Sequence, residues 1–199
     1  MSKVGVAILL SVSAGQAEVI ITEVAMKAQT DWVEIYNSGL QSVDISGFML
    51  TDLDGTDTPF ASAPTTLPPG AYAVIHWSQG TDETDEVGDL FPPNGYIDLY
   101  VDDKELTGTD DQVVLHNGTL FIDAVIWSDN SGGGVVYELD DFNLLAPDLW
   151  NCQDISDWIE YDSCAWTDSD QIGSDQSLAR YLDPTNNGYV DTNRKENWY

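Results

Sequence analysis

The sequence predicts an all-β protein, and three observations carry that reading. Between Asp31 and Gly55 apolar and polar residues alternate with the period of a pleated strand. The stretch Glu18–Ala25, EVIITEVA, is dense in β-branched residues. Two apolar runs flank Asn117-Gly118, a dipeptide that favours tight hairpin turns. No segment has helical periodicity for more than two or three turns, and no internal repeat is visible.

The elements follow in order. Glu18–Ala25 is the first strand. Val33 and Ile35 then alternate with Trp32, Glu34 and Tyr36, so one face enters a core. Asn37-Ser38-Gly39 supplies turn chemistry, since Asn and Gly tolerate positive φ. Val43 and Ile45 resume the alternation. Gly47 interrupts it before Phe48 and Leu50, as a β-bulge would. Val33, Ile35, Val43 and Ile45 are the expected core positions here. Thr51–Pro69 reads as a loop or irregular hairpin, and Pro68-Pro69-Gly70 turns into a strand at Ala71–Trp77. Thr81–Asp89 is an acidic, solvated loop. Tyr96–Val101 alternates again. Gln112–His116, a two-residue turn at Asn117-Gly118, and Leu120–Trp127 form a hairpin.

Several of these features resemble, in order, the lamin tail domain. They are the strand pair of Asp31–Gly55, the Pro-Gly turn before Ala71–Trp77, and Asp111-x-Val113-x-Leu115 followed by Ile122-Asp123-x-Val125. Ser177-Leu178-Ala179-Arg180 near the C-terminus completes the set. The resemblance implies an immunoglobulin-like β-sandwich, of a kind also found in secreted bacterial and archaeal proteins, as one domain over residues 18–199. It also implies a non-enzymatic module for attachment at cell surfaces or alongside secreted enzymes. In animal lamins the domain sits on a nuclear filament and binds proteins and sometimes DNA. That role does not transfer, because this chain has no coiled-coil rod. The departure from the family pattern is an insertion at Ser128–Asp175, read as an elaboration packed on the sandwich with short helical turns around Asp154–Tyr161.

The N-terminus combines Lys3, the apolar run Val4–Leu10 and a small-residue finish at Gly15-Gln16-Ala17, the pattern of a secretory signal peptide over residues 1–17. Cleavage is expected after Ala17, giving a secreted or cell-surface protein. No apolar segment is long enough for a membrane helix, so no membrane insertion is expected. With 35 acidic against 6 basic residues the formal charge is −29. Such a surface repels nucleic acid and anionic membranes and attracts cations. Two readings of the acidity compete, adaptation to a saline habitat and specific calcium sites; the even spread of the acids along the chain favours the first. Cys152 and Cys164, an even count in an exported chain, suggest one disulfide, worth up to about 3 kcal/mol for so short a loop. Pairing them with a metal through His76 or His116 is the weaker alternative, since neither histidine is near them in sequence.

Candidate chemistry is sparse. Asp129–Gly134 resembles the Ser-Gly-Gly loop of chymotrypsin-like proteases around Ser131. Yet His76 and His116 both sit inside strand patterns, and a triad needs a base held by a buried acid. Paired carboxylates cannot be singled out among so many acids. Calcium is the best cofactor candidate, with Asp52, Asp54 and Asp57 clustered around Gly55 in an oxygen-rich hairpin tip. Asp183–Arg194 matches part of a calcium loop, but its twelfth position is the cation Arg194. Trp150, Trp158 and Trp166 in the insertion are candidate ligand-stacking residues. Asn117-Gly118-Thr119 is a formal glycosylation sequon. The expected function is an exported structural or interaction module whose partner is an extracellular protein or glycan. The alternatives are a calcium-dependent adhesin or carbohydrate-binding module and, less favoured, a secreted hydrolase.

Overall fold

A computed structural model of the chain describes residues 19–28, 30–52, 59–61, 63–84, 95–101, 106–109, 111–128, 167–168, 172–174, 176–183, 188–189 and 198–199. Among these residues the regular structure is all β. In chain order the strands are β1 (Val19–Ala25), β2 (Trp32–Asn37), β3 (Val43–Asp44), β4 (Met49–Thr51), β5 (Thr66–Leu67), β6 (Tyr72–Trp77) and β7 (Tyr96–Val101). They continue with β8 (Asp111–His116), β9 (Phe121–Ser128), β10 (Thr167–Asp168), β11 (Leu178–Ala179), β12 (Leu182–Asp183) and β13 (Gly188–Tyr189).

Two sheets enclose one core, as in an immunoglobulin-like sandwich. The larger has the order β11-β1-β2-β6-β7, the second β10-β9-β8-β4. Two small ribbons, β3-β5 and β12-β13, complete the described structure. Ile21, Val33, Ile35, Ala73, Ile75, Ile97 and Leu99 project inward from the first sheet, and Val113, Leu115, Val125 and Trp127 are enclosed with the second. Strand β8 is buried at every residue, and Ala124–Trp127 of β9 likewise. The apolar stretches Val113–Leu115 and Ala124–Trp127 within them are those of strands covered on both faces.

Val33, Ile35 and Ile45 are fully enclosed as expected; Val43 is only half-buried. The chain around Gly47 differs from the expected bulge. Phe48 N–H donates to Ile45 O at 3.0 Å, closing a β-turn. That turn carries the chain from β3, paired with β5, to β4, paired with β8. One alternating run therefore serves two sheets, and glycine provides the corner rather than a bulge. A register irregularity does occur in β1, between Ile21 and Glu23.

Asn37 acts through its side chain. Fully buried, it donates from Nδ2 to Gln41 O (2.8 Å) and Leu67 O (2.9 Å), and Oδ1 accepts Gly39 N–H (3.0 Å). Among the described glycines positive φ falls at Gly70, Gly95 and Gly118, not at Gly39. At Pro68–Ala71, Ala71 N–H donates to Pro68 O and Gly70 has φ +74°, so the turn has proline and a left-handed glycine where a type II turn requires them.

The β8–β9 hairpin forms, but its loop is the four residues Asn117–Leu120 rather than two. Asn117 Oδ1 accepts Thr119 N–H and Leu120 N–H, which stabilises the wider loop. Strands β6 and β7 pair in parallel, an arrangement the alternating pattern does not disclose. The acidic loop is partly tied down: Asp82 Oδ1 accepts Tyr100 N–H at 3.0 Å and Glu83 N–H donates to Asp98 O at 2.7 Å. These bonds occupy backbone groups along the outer edge of β7, where an open strand would invite pairing with another chain.

Most of the insertion, including Cys152, Cys164 and Asp154–Tyr161, lies outside the described residues. Its strand β10 returns to the sandwich and pairs in parallel with Trp127 and Ser128 of β9.

Candidate functional site

Ile21, Val33, Ile35, Ala73, Ile75, Ile97 and Leu99 of β1, β2, β6 and β7 face the core, and the residues between them line the opposite face of the larger sheet. The registers align them in three rows. The first is Ile20, Tyr36, Tyr72 and Tyr96. The second is Glu23, Glu34, Val74 and Asp98, and the third Ala25, Trp32, His76 and Tyr100. Strand spacing and rise make this a patch of roughly 14 by 13 Å. Two aromatic rows thus flank a row with three carboxylates.

The rings touch along the first row, and two of them do so in the third. Tyr36 and Tyr72 have centroids 4.6 Å apart, and Tyr72 and Tyr96 5.8 Å in an edge-to-face arrangement. Tyr189 on β13 packs edge-on to Tyr36 at 5.3 Å, and its hydroxyl lies 3.1 Å from that of Tyr72. In the third row His76 stacks on Tyr100 at 4.8 Å and 19°. Trp32, Tyr36, Tyr72, His76, Tyr96, Tyr100 and Tyr189 are all half-buried, so part of each ring meets solvent.

The acids between them are held firmly. Glu34 accepts the Thr22 hydroxyl at 2.6 Å and is 8% exposed; Asp98 Oδ1 lies 2.8 Å from His76 Nε2; Glu23 accepts the Ser177 hydroxyl. Burial raises the Glu34 carboxyl above its ordinary value, against the Thr22 hydrogen bond, and the Glu23 charge pushes the same way as burial. Burial likewise raises the Tyr96 and Tyr189 hydroxyls. Glu23 and Glu34 are direct cross-strand partners, a like-charge placement that weakens a sheet. The described basic side chains are engaged elsewhere: Lys27 donates to Ile172 O, and Arg180 to Asp123 and Ile21 O.

The residues singled out from sequence do not converge on this face. Asp52 follows β4, half-buried, and its carbonyl accepts Gln112 Nε2 at 3.3 Å. Asp54 and Asp57 lie outside the described residues, as do Trp150, Trp158, Trp166 and Ser131. Among the described residues no group of three acids, histidines or cysteines is placed to hold a metal. His76 joins the outer face, whereas His116 is buried in β8 and accepts Gly118 N–H through Nδ1 at 3.3 Å.

A family model, Lamin Tail Domain, matches residues 12–129, more than half of the sequence. The chain belongs to the lamin tail domain family. No curated protein matches it in sequence. Lamin tail domains are immunoglobulin-like and generally serve as non-catalytic structural or interaction modules. The matched stretch of this lamin tail domain holds β1 to β9 and so nearly all of the aromatic and acidic face. Strand β11, beyond the match, completes the same sheet by pairing with Glu23 and Val24.

Sequence reasoning missed the face although its signal is present. The outward positions of β2 read Trp-Glu-Tyr, those of β6 Tyr-Val-His and those of β7 Tyr-Asp-Tyr. A solvated sheet face ordinarily carries Thr, Ser or Lys there. Which strands are neighbours, and hence that these letters form rows, depends on the β2-β6-β7 order.

Proposed function

We propose that this lamin tail domain is an exported, non-enzymatic binding module, and that it engages an extracellular protein partner through the outer face of its larger sheet. One observation carries the reading: half-exposed aromatic rows flank a carboxylate row in which Glu23 and Glu34 oppose each other, a local cost to the sheet. Costs of that kind concentrate at functional sites. Aromatic rings give large contact area at low entropy loss and dominate binding hot spots. The N-terminal leader pattern supports export, and the acidic surface argues against nucleic acid and anionic membranes.

The test uses the secreted chain and variants W32A and Y72A, each checked for unchanged thermal unfolding. They are assayed on arrays of extracellular proteins and of glycans. Binding to a protein that both variants weaken at least about tenfold fits truncated hot-spot residues. Ligands held equally well by both variants would remove the sheet face from consideration. Glycan-only binding weakened by the variants would keep the face and change the partner class. Amino-terminal sequencing of the exported product checks cleavage after Ala17.

A further inference from the structure

The tip of the β8–β9 hairpin belongs to the second sheet and takes no part in the binding face. Its atoms are nevertheless arranged for a reaction. Asn117 is exposed and precedes Gly118, which has φ +80° and no side chain of its own to hinder attack by its backbone nitrogen. Asn117 Oδ1 accepts Thr119 N–H at 3.1 Å and Leu120 N–H at 2.8 Å. The first of these bonds closes an Asx-type ring that spans the Asn117–Gly118 peptide. Both bonds draw electron density from the side-chain carbonyl. Gly118 N–H, meanwhile, donates to His116 Nδ1 at 3.3 Å. A backbone N–H only donates, so Nδ1 presents a lone pair to Gly118 N–H. Nucleophile, base, electrophile and two donors for an oxyanion all fall within His116–Leu120.

We propose that Asn117-Gly118 is a self-modifying site that closes to a succinimide. His116 Nδ1 takes the Gly118 amide proton as Gly118 N attacks Asn117 Cγ. The resulting oxyanion on Oδ1 is held by Thr119 N–H and Leu120 N–H. Collapse breaks the Cγ–Nδ2 bond, the imidazolium returns its proton to Nδ2, and ammonia leaves. Water then opens the ring at either carbonyl, giving aspartate or isoaspartate at position 117. One water enters, one ammonia departs, and nothing is oxidised or reduced. The product adds a carboxylate to the hairpin tip and removes the amide that the sequon Asn117-Gly118-Thr119 would offer to a glycan, so the two modifications exclude each other.

The chain supplies its own comparators, Asn94-Gly95 and Asn187-Gly188. Full-length protein from a host that does not N-glycosylate is incubated at neutral pH, native or unfolded in guanidinium. Succinimide and isoaspartate at the three sites are then followed by peptide mass spectrometry. A positioned base predicts that Asn117 reacts at least about tenfold faster in the native protein than in the unfolded chain, where the three sites react alike. The variant H116Q keeps an acceptor for Gly118 N–H but no base, and slows native Asn117 at least about tenfold while leaving Asn187 unchanged. Should H116Q fail to fold, the native-against-unfolded comparison decides alone. Asn117 conversion no faster in the native than in the unfolded chain, or at the wild-type rate in folded H116Q, overturns the proposal.

Discussion

Arg180 Nη2 lies 2.7 Å from Asp123 Oδ2 with both side chains almost fully enclosed, 57 residues apart in sequence. Asp123 belongs to β9 of one sheet, and Arg180 follows β11 at the edge of the other. The same Oδ2 accepts Ile21 N–H, Arg180 Nε donates to Ile21 O, and the guanidinium lies 4.7 Å from the Trp198 ring centroid. The pair thus joins the two sheets beside β1 and anchors the chain at the end of β11. R180M leaves a buried carboxylate without its cation and is expected to cost about 3–5 kcal/mol, whereas replacing both partners with apolar residues (D123L/R180M) recovers part of it, the N–H and carbonyl of Ile21 then being left without these partners. Urea unfolding of the singles and the double gives the coupling. A double variant no more stable than either single would contradict this account.

Asn37 fills a second buried polar site, bridging the loop after β2 to β5. N37A strands the carbonyls of Gln41 and Leu67 and the N–H of Gly39, for an expected loss of about 2–3 kcal/mol. Hydrogen exchange checks the mechanism as well as the magnitude, since the Gly39 amide should lose its protection first.

These two sites show what the chain discloses and what it withholds. Alternation in β2, β6 and β7 is local, so these strands and core residues such as Val33 and Ile35 are legible from sequence. Asp123 and Arg180 are legible as letters of separate motifs, but nothing local pairs residues so far apart. Gly47 misleads because a corner between sheets and a bulge within one strand leave the same interruption in an alternating run. The candidate site hides for the same reason as the ion pair. Tyr36, Tyr72 and Tyr96 become a row only when β6 and β7 pair in parallel.

Gly70 offers a test of backbone conformation. Its φ of +74° suits glycine, and an added Cβ would meet only the Tyr36 hydroxyl at 3.9 Å. G70A should therefore cost about 1–2 kcal/mol through strain alone. Gly47, with nothing within 4 Å and no positive φ, is the control: G47A should change the urea midpoint far less.

The charge of −29 makes a cation response certain to be seen and easy to misread. Screening of dispersed carboxylates stabilises the folded chain with any divalent ion. Calcium and magnesium at matched ionic strength are expected to raise the melting temperature equally. A rise specific to calcium, removed by D52N, would instead place a site at the Asp52–Asp57 tip.

Glu34 sets a pH dependence of definite sign. Its native carboxyl titrates above the ordinary 4.5, chiefly through burial. Between that value and the native one the folded state binds more proton than the unfolded state. Stability contributed at this site therefore falls as pH rises through the window, and the penalty persists above it. E34Q removes the charge and keeps an acceptor for the Thr22 hydroxyl. It should be more stable than the parent at neutral pH, with the advantage shrinking as pH falls toward 4.5. Urea midpoints of both proteins across that range isolate Glu34 and its cross-strand neighbour Glu23 from the more distant carboxylates, which E34Q leaves alike in parent and variant. A midpoint difference that stays constant with pH would mean that Glu34 ionises as freely in the folded sheet as in the unfolded chain.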